Sequence, residues 1–283
     1  MMPAARQQKI LEMIVPTGMI SIADAATRLG VSQMTIRRDM QNLEERGKLI
    51  TVSGGAKKLE RITSELSQPE KRVLYYAEKS AIAAKAVSLI KPAMAVFVDA
   101  GTTGLAIAER IAVQPELCES ILVISNDFTV CGYLMAHSPC RLYHTGGEIL
   151  RENQSCSGES AAQFISRLNL DMAFLSTSSW DANWISTPSE KKVVLKVAAR
   201  KAARHAFLVT DSSKYGRIGL FNILRITDLD GIITDTALPE NAQAAIARAG
   251  VNLMLVEPMQ YPKYQDTGCA KAPESALAGN AYI

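Results

Sequence analysis

The chain has 283 residues, 48% of them hydrophobic, and a formal net charge of +3; it can bury a full core and is best divided into a small and a large domain. Residues 1–60 hold nine Lys or Arg against six Asp or Glu, and residues 61–283 hold 22 of each, so all the net positive charge lies in the N-terminal segment. No apolar run approaches the roughly 20 residues of a membrane helix, and the N-terminus lacks a signal-peptide core, which argues against membrane and secreted classes and sets the expectation of a cytoplasmic protein.

The first element is an apolar pattern, Ile10, Leu11, Ile14 and Val15, ended by Pro16-Thr17-Gly18, which reads as a supporting helix. Ile22, Ala25, Ala26 and Leu29 then recur at i, i+3, i+4 and i+7, with Ser21 placed to cap the helix and Gly30 to end it. A second helix follows after Gly30-Val31-Ser32, capped by Ser32, with Ile36, Met40 and Leu43 on its buried stripe and Gly47 at its end. Lys48 to Val52 form one side of a ribbon that Gly54-Gly55 can reverse. Two helices meeting at a glycine turn, then a ribbon, outline a winged helix-turn-helix, which sets its second helix in the major groove of double-stranded DNA. Ser32, Gln33, Thr35, Arg37, Arg38, Gln41 and Lys48 are the residues expected to meet base edges and phosphates. An adjacent arginine pair alone is usually a solvated helix face; the cap, the glycine turn and the ribbon tip the reading to DNA. The modest charge excess implies weak non-specific binding, so a homo-oligomer, dimer or tetramer, is expected to give tight binding.

Residues 57–77 are polar and charged, interrupted by Pro69, and read as a linker, including a connecting helix or extended segment, between a DNA-binding domain at 1–56 and a sensor domain at 78–257. In the sensor domain apolar strands alternate with helical patterns: 94–98, helix 104–112, 121–125, helix 128–136, 141–144, helix 159–168, 172–175, helix 188–203, 206–210, 231–234, helix 240–249 and 252–256. That alternation is the α/β class, with a mostly parallel sheet covered on both faces and its ligand expected at the carboxyl ends of the strands. Residues 258–283, rich in Ala, Pro and Gly without periodicity, read as a flexible tail.

Polar motifs fall at those strand ends. Asp99-Ala100-Gly101-Thr102-Thr103-Gly104 opens a helix, and its N–H groups and hydroxyls suit a phosphate; an ordinary capped strand-helix turn is the plainer alternative. Ser125 and Asn126, Gly146 and Gly147, and Asp211 with Lys214 are expected to converge on the same edge. Lys214 offers charge to an anion, and Asp99 and Asp211 accept from sugar hydroxyls. Glu190 is a further candidate, although a helix N-terminus explains it as simply. The five cysteines, Cys118, Cys131, Cys140, Cys156 and Cys269, show no metal-binding or disulfide spacing, so no metal and no cofactor are expected. Trp180 and Trp184 read as packing residues before ligand-stacking ones.

The motifs V-S-x-x-T-I-R-R-D, L-E-x-x-G-x-L and G-G-A, then V-D-A-G-T-T at 98–103, T-G-G at 145–147 and D-S-S-K-Y-G at 211–216, resemble those of the DeoR family of bacterial transcriptional regulators. The resemblance spans about residues 5–257. It implies a sensor domain with the ribose-5-phosphate isomerase-like fold, a phosphorylated sugar or sugar-acid effector, and a repressor of a carbohydrate-utilisation operon released from DNA by that effector. Transcriptional activation is the variant of this reading, depending on operator position. Two departures stand out: Thr51 and Ser53 replace the basic and aromatic residues usual before the wing glycines, and Ser176 replaces a usual glycine. The rival class is a sugar-phosphate isomerase-like enzyme using Asp99, Asp211, Glu190 and Lys214; the chain lacks the acidic and glycine-rich segments of such enzymes and carries a DNA reader they do not need. A pure interaction module is disfavoured by the number of polar loops at strand ends.

Overall fold

The computed structural model of the protein describes residues 1–258; the expected tail from 258 onward, with Cys269, lies outside them except for Pro258. The N-terminal part runs α1 (Pro3–Ile14), β1 (Met19–Ser21), α2 (Ile22–Leu29), α3 (Gln33–Glu45), β2 (Ile50–Val52) and β3 (Gly55–Lys57). Both expected caps are present. Ser21 Oγ accepts from the Asp24 N–H at 3.0 Å and Ser32 Oγ from the Thr35 N–H at 3.3 Å, meeting donors that the first helical turn leaves without partners. Gly30 ends α2 in the left-handed conformation. Ile10, Ile14, Ala25, Leu29, Ile36, Met40 and Leu43 form one core, and burying each large aliphatic stabilises by roughly 1.5–3 kcal/mol relative to exposure. Val15 departs from expectation and is exposed, because α1 ends one residue earlier. The ribbon also gains a third strand: β1 pairs with β3, giving the order β1-β3-β2. Gly55 makes this possible, since a Cβ there would lie 2.3 Å from the Ile20 carbonyl oxygen.

The linker holds a short strand, β4 (Glu60–Arg61), and a helix, α4 (Gln68–Val73). Pro69 starts this helix rather than interrupting it; it occupies the first turn, where a missing N–H costs nothing. Ser67 and Glu70 form a reciprocal capping box in front of it.

The sensor domain begins with α5 (Tyr76–Val87), β5 (Ala95–Val98), α6 (Thr102–Ala112), α7 (Pro115–Ser120), β6 (Leu122–Ser125), α8 (Phe128–His137) and β7 (Arg141–His144). It continues through a hairpin, β8 (Glu148–Leu150) and β9 (Ser155–Ser157), to α9 (Glu159–Ser166) and β10 (Leu170–Leu175). After β11 (Ser179–Trp180) and β12 (Trp184–Thr187) come α10 (Glu190–Ala202), β13 (Ala203–Val209), β14 (Arg217–Ile218) and β15 (Phe221–Arg225). It closes with β16 (Gly231–Asp235), α11 (Glu240–Arg248) and β17 (Leu253–Val256). Seven strands make one parallel sheet in the order β17-β16-β13-β10-β5-β6-β7. Apolar side chains of α9, α10 and α11 cover one face and those of α5, α6 and α8 the other. From β5 the chain winds outward through β6 to β7, then returns to β10 on the other side of β5 and winds outward again. The order therefore reverses between β5 and β10, and the loops after these two strands part to leave a crevice.

The two domains are in contact. Ile50 of the wing is buried in the sensor core with Trp180 and Tyr215. Gly216 seats it: φ there is +85°, and a Cβ would lie 2.0 Å from Ile50 Cδ1. Strand β14, just after that glycine, pairs in parallel with β4. Glu44 of α3 is buried and accepts from the Thr51 N–H at 2.9 Å and the Thr51 hydroxyl at 2.6 Å, while Asn241 Nδ2 donates to Glu44 at 3.1 Å and to the Thr51 carbonyl at 2.8 Å. Thr51, the unusual wing residue, thus faces the sensor domain. No helix among the described residues is long and apolar enough to cross a membrane.

Candidate functional sites: an exposed helix and a lysine-lined cleft

On α3 the buried stripe turns Gln33, Arg37 and Gln41, spaced i, i+4 and i+8, to solvent together with Arg38. Ser32 and Lys48 at its two ends are exposed as well, while Thr35 is half-buried and shares its hydroxyl with Ser32 at 3.0 Å. Among the described residues neither Arg37 nor Arg38 is tied into an ion pair, whereas Asp39 between the buried stripe and α1 is held by Arg6 and by Gln7 Nε2 at 3.1 Å. The buried acid fixes the helix and the exposed arginines remain available for phosphate or base contacts.

The crevice between β5 and β10 is a cleft with a cavity volume of about 70 Å³, open to solvent. Its walls bring together Gly101, Thr102 and Thr103 at the start of α6, Asn126, Ser176 to Ser178, Gln68 and Lys71 of α4, Lys192 and Lys196 of α10, and Lys214. Four lysines face two carboxylates, Glu65 and Asp99, across this space. The first N–H groups of α6 have no carbonyl partner within the helix, so the helix terminus adds partial positive charge to the same wall. Three side-chain oxygens of the lining, Gln68 Oε1, Thr103 Oγ1 and Ser178 Oγ, are buried without a hydrogen-bond partner. Unpaired buried polar atoms are costly, and all three belong to residues that line the cleft.

The loop after β5 is held in shape by its neighbours. Asn126 Oδ1 accepts from the Ala100 N–H at 2.9 Å, and Asp127 Oδ2 accepts from the Gly101 N–H at 2.9 Å. Asp99 is buried and ion-paired with Lys196, and also accepts from the Ser176 N–H at 2.9 Å and its hydroxyl at 3.0 Å. Asp99 therefore clamps the loops after β5 and β10 together through Oδ2, on which all of these donors converge. Burial opposes ionisation of Asp211, but Lys214 at 3.3 Å and the Ser213 hydroxyl hold its carboxyl below the usual range. Behind the cleft, burial and then the charge of Lys214 push the Lys79 ammonium down to about 8.

Of the twelve residues expected at the effector site, Asp99, Gly101, Thr102, Thr103, Asn126 and Lys214 line the cleft. The others do not. Gly104 lies inside α6, where a Cβ would come within 2.3 Å of the Asp99 carbonyl oxygen, so it permits the helix to start against the strand. The Ser125 hydroxyl donates to the Val98 carbonyl at 2.7 Å, bracing β6 against β5. Gly146 and Gly147 belong to the turn before β8, where a Cβ on Gly147 would lie 2.8 Å from the Ser157 carbonyl oxygen. Glu190 is exposed at the start of α10, and Asp211 stands behind Lys214. Glu65, Gln68, Lys71, Lys192 and Lys196 also line the cleft and were not among the expected residues. The spacing Lys192, Lys196 along α10 was the available signal, since i and i+4 share a helix face. Trp180 packs edge-on against Tyr215 at 4.9 Å and Trp184 lies under Arg225 at 4.5 Å, so both serve packing. Cys118, Cys131, Cys140 and Cys156 are free thiols.

Residues 6–61 match the DeoR-like helix-turn-helix domain and residues 75–236 the DeoR C terminal sensor domain. The chain is 48% identical over 256 residues to an uncharacterized HTH-type transcriptional regulator of Haemophilus influenzae, covering 90% of this chain and 98% of that one. It is 28% identical over 253 residues to the glycerol-3-phosphate regulon repressor of Escherichia coli, covering 88% and 98%. Ribose 5-phosphate isomerase A of Methanocaldococcus jannaschii overlaps 48% of this chain and 53% of its own, at 15% identity and a TM-score of 0.37. With both of its domains matched in order and nearly the whole of a 48%-identical regulator covered, the chain belongs to the DeoR family of helix-turn-helix transcriptional regulators.

Proposed function

We propose that this regulator is a repressor of a carbohydrate or sugar-acid utilisation operon, released from DNA when a phosphorylated sugar-type effector enters the cleft between β5 and β10. The observation that carries the reading is the lining of that cleft: a helix N-terminus and lysines for an anion, beside three buried oxygens lacking partners. A repressor among its relatives, named for a glycerol-3-phosphate regulon, supports the sign of the regulation and the phosphate. On this reading Ser32, Gln33, Thr35, Arg37, Arg38, Gln41 and Lys48 meet the operator, and Gly101, Thr102, Thr103 and Lys214 meet the effector. The working form is a cytoplasmic homo-oligomer, whose paired recognition helices require operator half-sites about one helical turn, or a multiple, apart.

Coupling follows from Lys214. It lies in the cleft, two residues before the glycine that seats wing residue Ile50 and three before the strand that pairs with β4. An effector drawing on Lys214 thus acts on the support of the wing. To release DNA it must favour the low-affinity arrangement, and a shift from 1:99 to 99:1 takes about 5.5 kcal/mol of differential affinity, which calls for charged contacts. The test is a thermal-shift screen of phosphorylated sugars and sugar acids, followed by operator binding with each compound that raises the melting temperature. An effector stabilises the protein and lowers operator occupancy; a screen in which no such compound does both would overturn the reading.

A further inference from the structure

One carboxylate in the cleft comes from the chain's own interdomain strap. Glu65 belongs to no helix or strand; it lies between β4 and α4. Its side chain is nevertheless only 11% exposed, and Oε2 lies 2.8 Å from both Lys71 Nζ and Lys192 Nζ. The Thr187 hydroxyl donates to Oε1 at 3.5 Å. Burial opposes its ionisation, yet the Lys192 and Lys71 ammoniums outweigh that and hold the Glu65 carboxyl well below the usual range. Lys71 is itself pushed down, by burial first, with Lys192 and Lys214 adding repulsion that Glu65 offsets. A glutamate on an irregular strap gains nothing from entering a cleft unless the cleft is built for an anion. Removing it without replacement would leave buried ammoniums unpaired, which is strongly unfavourable.

We propose that the Lys71–Lys192 pair is a second anion subsite of the cleft, and that Glu65 fills it as a built-in ligand which a second anionic group of the effector displaces. The proposal rests on the reading of the cleft as the effector site and narrows the effector to molecules carrying two anionic groups on a hydroxyl-bearing frame. One group meets the start of α6 and Lys214; the other meets Lys71 and Lys192. Displacement reaches the DNA-binding domain directly, because Glu65 follows β4 by four residues and β4 pairs with β14, which lies three residues beyond Lys214. A doubly anionic effector therefore pulls on both strands of the ribbon beside the wing.

The test is a calorimetric titration of the full chain with inorganic phosphate at millimolar concentration, read as stoichiometry. Wild type is expected to bind one phosphate per chain, at the α6 end, and Glu65→Gln to bind two. Glu65→Gln/Lys192→Met returns to one, and Lys214→Met in the wild-type background abolishes the first. The vacated pair should also make the Glu65→Gln melting temperature rise more steeply with phosphate than that of wild type. Glu65→Asp keeps the charge on a shorter stem; should the glutamine variant fail to fold, the aspartate variant must bind the second phosphate more readily than wild type. One phosphate per chain in wild type and both Glu65 variants overturns the second subsite and leaves the cleft reading standing. None in wild type but one in Glu65→Gln, lost with Lys192→Met, supports the subsite and removes the α6 anion site. No binding in any of them overturns both.

Discussion

The exposed helix α3 and the cleft proposed for the effector handle charge in opposite ways. On α3, Arg37 and Arg38 are exposed, and neither has a carboxylate partner among the described residues. In the cleft, Lys196 and Asp99 are buried against each other, and Glu65 is shared by two lysines. The surface that meets a polyanion keeps its charges solvated and ready, and the cost of desolvating them falls on the complex. The cleft bears that cost in the free protein, so its charges already serve the fold.

This contrast yields its sharpest break at Lys196. Lys196→Met leaves the Asp99 carboxylate buried and unpaired, and should lower the unfolding free energy by about 3–5 kcal/mol. Chemical denaturation checks it, with Arg37→Ala as the comparison, expected to stay within about 0.5 kcal/mol of wild type as an exposed substitution does. A Lys196 variant as stable as the Arg37 variant would erase the distinction between the two regions. On DNA the ranking inverts. Arg37→Ala or Arg38→Ala should weaken operator binding by about 1–3 kcal/mol for a base contact, or reduce the salt slope by about one for a phosphate contact. Unchanged affinity and slope in both variants would move the reading face elsewhere.

A smaller effect is expected where the regions meet. Asn241→Ala removes donors to buried Glu44 and to the Thr51 carbonyl and should cost about 1–2 kcal/mol. Hydrogen exchange should quicken in the winged domain while the seven-stranded sheet stays protected; loss of protection in the sheet instead would mean that Asn241 supports the sensor domain and not the junction.

What was legible in the sequence divides along the same line. The helix-turn-helix could be read because its signals are local: Ser32 caps its own helix, Gly30 ends the one before, and Ile36, Met40 and Leu43 mark one stripe. The parallel sheet was readable for a related reason, since each strand is a short apolar run bounded by helices. The third wing strand was missed, because β1 is three residues long and owes its existence to pairing with β3. The cleft was half legible. Gly101, Thr102 and Thr103 announce themselves at a strand end, whereas Lys196 becomes a partner of Asp99 only through packing across 97 positions. Glu65 sits on a polar strap whose composition suggests nothing but a linker, and the sheet topology alone brings it to Lys192. Gly104, Ser125 and Gly147 were read as ligand-binding because loop glycines and hydroxyls look alike whether they serve a ligand or close packing; the close approach to Asp99, Val98 and Ser157 separates the two.

The link between cleft and operator is tested most directly at Thr103. Its hydroxyl is buried without a partner, so on the proposed reading Thr103→Val removes a ligand contact while leaving size and fold intact, and should not weaken the free protein. Operator occupancy is to be followed against concentration of the effector found by thermal shift. The variant should bind operator as wild type does but need about tenfold more effector for half-release, the loss of one hydrogen bond. Release of the variant at the wild-type concentration would contradict the assignment of this cleft as the place where the effector acts.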